Sequence, residues 1–139
     1  MRRYSYWRTA LTDYLHRVSA EPFVPGRHDC ALFAAGGVDA MTGEDFGAAY
    51  RGRYKTLAGG YRLLKKRGFE SHADLAASIF EEIHPSHAMV GDLASVDGDG
   101  GIALGIVQGE GVYVLSPEGR IDTVPLLSAT RAFRVPLTD

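Results

Sequence analysis

The stretch Arg27-His28-Asp29-Cys30-Ala31-Leu32-Phe33-Ala34-Ala35-Gly36-Gly37-Val38-Asp39-Ala40-Met41 decides how this chain is read. It follows an irregular Pro25-Gly26 step. From Asp29 or Cys30 onward, Cys30, Phe33, Ala34, Gly37, Val38 and Met41 fall on one face at i, i+3, i+4 spacing, which predicts a helix. Asp29 suits the N-cap and Thr42-Gly43 the stop. Ala31, Ala34, Ala35, Gly36 and Gly37 thin the helix. Each glycine costs on the order of 1 kcal/mol of helix propensity, so close packing against another element is the expected reason for the pair. Cys30 is the sole cysteine and sits at the helix start, where the helix dipole favours a thiolate. A lone cysteine on an apolar face is more often a small buried hydrophobe than a nucleophile. What decides is whether the chain supplies a base.

Before this stretch, Trp7, Ala10, Leu11, Tyr14, Leu15 and Val18 recur at helical spacing and predict a first amphipathic helix, with Trp7 and Tyr14 read as core. Pro22, Pro25 and Gly26 break it. Beyond the stretch, Phe46 and the run Tyr50-Arg51-Gly52-Arg53-Tyr54 read as a loop or short helical turn. A third helix is expected from about Thr56 through Leu57, Tyr61 and Leu64 to Lys65-Lys66-Arg67, stopped by Gly68. Its cations complement the helix dipole, and the run reads as a solvated helix end. Ser71 followed by Asp74 resembles a capping box for a fourth helix carrying Leu75, Ile79, Phe80 and Ile83, ended by Pro85.

After Pro85 the pattern becomes β-like at 92–96, 102–108, 111–115, 120–124 and 130–135. Asp-Gly-Asp-Gly-Gly, Gln-Gly-Glu-Gly and Ser-Pro-Glu-Gly separate the runs with turn chemistry. Helices first and strands afterwards predict an α+β fold: a single domain over 1–139, with a helical part at about 5–85 and an antiparallel sheet of about five strands at about 91–136.

The 139 residues suffice for one domain with a core. A 45% apolar and 23% charged composition argues against disorder, and a net charge of −2 provides no global basic field for nucleic acid. There is no apolar run of signal-peptide or membrane-span type, and one cysteine cannot form an internal disulfide, so synthesis in a reducing cytosol is expected. Asp97 and Asp99 lack the remaining ligands of a calcium loop, and His84 and His87 lack the second ligand pair of a zinc site. No metal and no cofactor are expected. As a base for Cys30, His28 is two residues away but outside the helix start, while His16, His72, His84 and His87 lie on or beside helical segments.

Asp29-Cys30 opening a small-residue helix, Gly91-Asp92-Leu93 opening a strand, Leu104-Gly105-Ile106 and Gly109-Glu110-Gly111 together resemble the NlpC-type, papain-like cell-wall cysteine peptidases. In that family Asp-Cys-Ser-Gly-Phe and Gly-Asp-Leu precede His-Val-Gly-Ile-Tyr-Leu-Gly, and a second strand ends in a polar residue. The cysteine is the nucleophile, the His the base, and the polar residue orients the ring. Without a gap, Gly105 takes the glycine of His-Val-Gly, which places the base position on Ala103 and the orienting position on Leu115. A shift of one residue reaches Ile102, Leu104, Val114 and Ser116, none of them an imidazole. The resemblance implies a cysteine site, Cys30, without its dyad.

The wider pattern of Pro25-Gly26-Arg27-His28-Asp29-Cys30, Tyr50-Arg51-Gly52-Arg53-Tyr54 and the closing Arg131-Ala132-Phe133-Arg134-Val135 is similar to an NlpC-like family encoded beside the tail genes of tailed phages and gene-transfer particles. That resemblance implies a structural or assembly role in a virion tail tip, with synthesis in the bacterial host cytoplasm. The implied partners are other phage tail proteins, with no nucleic acid and no membrane span. The alternative is an active endopeptidase or amidase on peptidoglycan peptides, with Cys30 as nucleophile and a distant histidine such as His87 brought into the site. A third reading keeps the groove as a peptide- or glycan-binding module. Tyr4, Tyr6, Trp7 and the Tyr50 to Tyr54 segment are candidate contact surfaces.

Overall fold

The computed structural model describes residues 1–98 and 101–137. Four helices come first: α1 (Trp7–Val18), α2 (Cys30–Thr42), α3 (Leu57–Lys66) and α4 (His72–Ile79). Six strands follow: β1 (Glu81–Ile83), β2 (Leu93–Gly98), β3 (Gly101–Val107), β4 (Gly111–Leu115), β5 (Ile121–Pro125) and β6 (Ala129–Arg134). They form one antiparallel sheet in the order β1-β6-β2-β3-β4-β5. The expected α+β fold is present, with one strand more than the sequence indicated. That strand, β1, lies where the pattern had extended the fourth helix to Ile83. The helix stops at Ile79 because Phe80 is already extended, and Glu81–Ile83 pair along β6.

The helix starts are capped at Asp29 and Ser71, as the sequence indicated, and at Thr56, where the third helix was expected to begin. Asp29 accepts the Leu32 N–H at 3.0 Å, Thr56 that of Gly59 at 2.9 Å and Ser71 that of Asp74 at 3.2 Å. The Asp74 carboxylate does not fold back to complete a capping box; it accepts from Arg131 on β6 at 2.9 Å and so ties α4 to the sheet. Gly43 closes α2 in the left-handed region, φ 82°. The glycine pair does what the propensity cost implied: a Cβ on Gly36 would strike the Tyr14 ring, and one on Gly37 the Ile106 side chain. Tyr14 donates to the Phe33 carbonyl at 2.7 Å, so α1 and α2 are joined by a hydrogen bond as well as by packing.

Two apolar clusters lie on the two faces of the sheet. Trp7, Leu11, Phe33, Val38, Met41 and Phe80 from the helices meet Leu93, Leu104, Ile106, Leu115 and Phe133. Behind them Ala94, Val96, Val107, Val112 and Val114 form a second cluster, with Ala88 and Leu126 from the neighbouring turns against it. Because β3 alternates, Leu104 and Ile106 face the helices while Val107 and the partly buried Ala103 face the second cluster. At the other end of the helical layer Arg3 and Asp92 are fully buried as an ion pair at 2.8 Å. Arg3 also donates to the carbonyls of Val90 and Val135, and Asp92 accepts from Arg134 and from the N–H groups of Met89 and Val135. The Gly91-Asp92-Leu93 motif thus joins both ends of the chain to β2.

Candidate functional site

Cys30 is the first residue of α2, directly after its N-cap. Asp29 is held on three sides: Leu32 N–H on one oxygen, and Gly26 N–H at 3.0 Å and the Tyr54 hydroxyl at 2.5 Å on the other. This network fixes the turn before α2, and with it the direction of the Cys30 side chain. Gly60 on α3 is where Tyr54 fits, since a Cβ there would press on the Tyr54 ring.

The thiol opens into a groove of about 510 Å³. Its wall brings together the three positions the sequence singled out, Cys30, Ala103 and Leu115, with Tyr54, Tyr61 and His72. Backbone groups of Leu104 on β3 and of Ala31 and Cys30 at the helix start favour the thiolate. They are outweighed. Burial pushes the Cys30 thiol above its ordinary value, and the neighbouring Asp29 charge adds to the rise. The dipole argument for a reactive cysteine therefore fails here because the capping carboxylate and the loss of water act more strongly.

The histidines are placed as follows. His87, the residue named for a relocated base, sits exposed on the 3-10 turn Pro85–His87, 6.1 Å from His84 between ring centroids, and its carbonyl accepts from Arg134. It is not part of the groove wall, because the Arg134 contact anchors that turn on the sheet edge beside β1 and β6. His28 is buried edge-on against Phe33 and is also outside the groove wall. Its ring lies 3.9 Å from the Glu21 carboxylate, and burial lowers its pKa.

His72, at the start of α4, is the imidazole that reaches the groove, with its ring 5.4 Å from that of Tyr61. It also borders a small apolar cavity of about 60 Å³ between the helices, so it stands in the partition between the two spaces. The sequence nominated Ser71 and Asp74 as the start of α4 but carried no sign that this start would line the same groove as Cys30. That shared wall depends on how α3 and α4 are arranged with α2 around the small cavity that all three line.

The chemistry open to His72 follows from its surroundings. Nδ1 is buried and has no hydrogen-bond partner among the described residues. Burial lowers its pKa, and the Asp29 charge only partly opposes this. An enclosed N–H without an acceptor is rarer than an enclosed acceptor without a donor, so we assign the proton of the neutral ring to Nε2. A working thiol–imidazole pair needs the cysteine pKa depressed and the imidazole able to hold the proton. Here both shifts run the other way.

Asp97 lines the groove rim, while Asp99 lies outside the described residues. Among the described residues, no group of three or more His, Cys, Asp or Glu side chains is placed to hold a metal ion. Among them too, no helix is long and apolar enough to cross a membrane.

The family model described as a domain of unknown function, DUF6950, matches residues 2–135. The chain belongs to the DUF6950 family. Among curated proteins none matches the sequence. Among solved structures, this DUF6950 chain is similar to the crystal structure of the NlpC/p60 domain of the peptidoglycan hydrolase SagA. The two share 18% sequence identity at a TM-score of 0.57, covering 91% of this chain and 97% of that one. At that identity the likeness is one of fold, and it agrees with the papain-like α+β architecture described above.

Proposed function

We propose that this DUF6950 chain is a catalytically degenerate NlpC/p60-like domain, a structural or assembly component of a phage tail tip that works by protein–protein contacts. The observation that carries the loss of catalysis is the groove wall: Cys30 shares it with Ala103 and Leu115, where the peptidase pattern has a base and an orienting residue. Neither replacement can accept a proton, and loss of a general base alone typically removes about 10²–10⁴-fold in rate. The raised thiol pKa and lowered His72 pKa support the same reading. The place in a virion tail rests on the sequence resemblance alone, as do the tail-protein partners.

One observation favours the second reading, a cysteine hydrolase of peptidoglycan peptides: His72 lines the same groove as Cys30. A fluorogenic peptidoglycan stem-peptide assay on the wild type, Cys30→Ala and His72→Ala separates the two. The degenerate reading expects background rates from all three. Turnover by the wild type that both substitutions abolish would establish the hydrolase instead.

A further inference from the structure

Seven of the fifteen Lys and Arg residues fall within residues 46–69, which contain no Asp or Glu, while the remainder of the chain carries all seventeen acids against eight cations. The fold turns this segment into one surface. Arg67, just past α3, donates to the Ala49 carbonyl at 2.9 Å and lies over the Tyr50 ring at 4.5 Å. At the other end of the same helix, Gly59 and Gly60 lie against Tyr54. The 50–55 loop therefore runs alongside α3, and the cations of both belong to one ribbon.

Arg51 is paired with Asp45 at 3.1 Å, and Arg67 is engaged by Tyr50 and Ala49. Arg53, Lys55, Arg62, Lys65 and Lys66 are exposed, and none has an ion-pair partner among the described residues. On α3, Arg62 and Lys66 stand at i, i+4, a spacing at which like charges destabilise a helix. An acidic residue at either place would have relieved that repulsion.

From this ribbon we infer a docking surface for an acidic segment of a partner protein, with α3 as its centre. The charge is complementary to carboxylates. The aromatic rings that would stack nucleic-acid bases are already occupied, Tyr50 by Arg67, Tyr61 by His72, and Tyr54 against Gly60 with its hydroxyl on Asp29. The helix is ten residues long, about 15 Å at 1.5 Å per residue, and a long phosphodiester crossing it would run onto the acidic remainder of the surface. A short run of carboxylates matches the extent of the ribbon. This surface goes beyond the degenerate-groove reading and is independent of it, because none of the five cations lines the groove.

The test is fluorescence polarisation of a labelled oligoglutamate of about ten residues with the full chain, in low and moderate salt. Saturable one-to-one binding is expected, weakening about tenfold or more between roughly 50 and 200 mM NaCl as the screening length shortens. Lys65→Glu with Lys66→Glu, checked for folding by circular dichroism, is expected to weaken it a further tenfold or so, whereas Arg120→Glu, outside the 46–69 run, leaves it within about twofold. The proposal is overturned by absence of saturable binding at low salt, or by an equal loss in the Arg120 variant. Tighter binding of an oligothymidylate of the same length would overturn it as well. So would self-association, read by sedimentation, that the Lys65 and Lys66 changes abolish, since the surface would then belong to a second copy.

Discussion

Among the places where the described residues withdraw polar side chains from water, two do so to opposite ends. At the Arg3–Asp92 junction every arm of the guanidinium is engaged, on Asp92, Val90 and Val135, and the carboxylate accepts from four partners including Arg134. In the groove, Cys30 is kept a thiol by burial and Asp29, and His72 has an enclosed nitrogen with no partner among the described residues. A buried polar group that is fully satisfied specifies a structure, and one that is not satisfied is a cost retained without a structural return. The contrast separates two motifs that a family pattern treats alike. Gly91-Asp92-Leu93 holds the chain together, while Asp29-Cys30 combines a structural cap with a thiol that the cap itself makes less reactive.

Breaking the junction is expected to have the largest effect. Asp92→Ala leaves Arg3 buried without its counter-charge, and such a loss typically costs about 3–5 kcal/mol. Urea unfolding should show it as a large fall in the midpoint; a change under about 1 kcal/mol would mean the two ends are held by packing instead. A smaller effect is expected from Tyr54→Phe at the groove. Asp29 loses the hydroxyl but keeps the Gly26 and Leu32 N–H groups, so a cost of about 1–2 kcal/mol is expected from the same measurement. A cost equal to that of Asp92→Ala would erase the distinction between the two regions.

The smallest effect is in the pH dependence. Burial lowers the pKa of His72 in the fold, so below the ordinary histidine value, about 6.5, the unfolded chain binds a proton that the folded chain refuses. The stability contributed by the neutral ring is present above that pH and is lost as pH falls toward the folded value. His28 is shifted in the same direction. His72→Gln should flatten the loss of stability on acidification without removing it; an unchanged slope would place the whole effect on His28.

Much of the fold was legible because local rules and tertiary structure agree. Asp29 and Ser71 cap the helices they were expected to cap, Thr56 caps the helix that was expected to start at it, Gly43 ends α2, and the Gly36-Gly37 pair does mark close packing. The short β1 was missed because three residues, Glu81 to Ile83, carry no period that outweighs the helix before them, and their strand character comes from β6. At the groove, Cys30, Ala103 and Leu115, named through spacing against a family pattern, share one wall. His72 and Tyr54 were not legible there, since each arrives from a different element and no local signal records that these elements meet at one groove. The acid-free run around α3 was visible in the sequence, but its side-by-side loop and helix were not.

The central claim, that this groove no longer holds an activated cysteine, is tested most directly by titrating Cys30 itself. The rate of its alkylation by iodoacetamide should rise in a single step with a midpoint above the ordinary thiol value of about 8.5, and the profile should be the same in His72→Ala. A reactive plateau between about pH 5 and 7 that disappears in His72→Ala would reveal a thiolate–imidazolium pair and contradict the account.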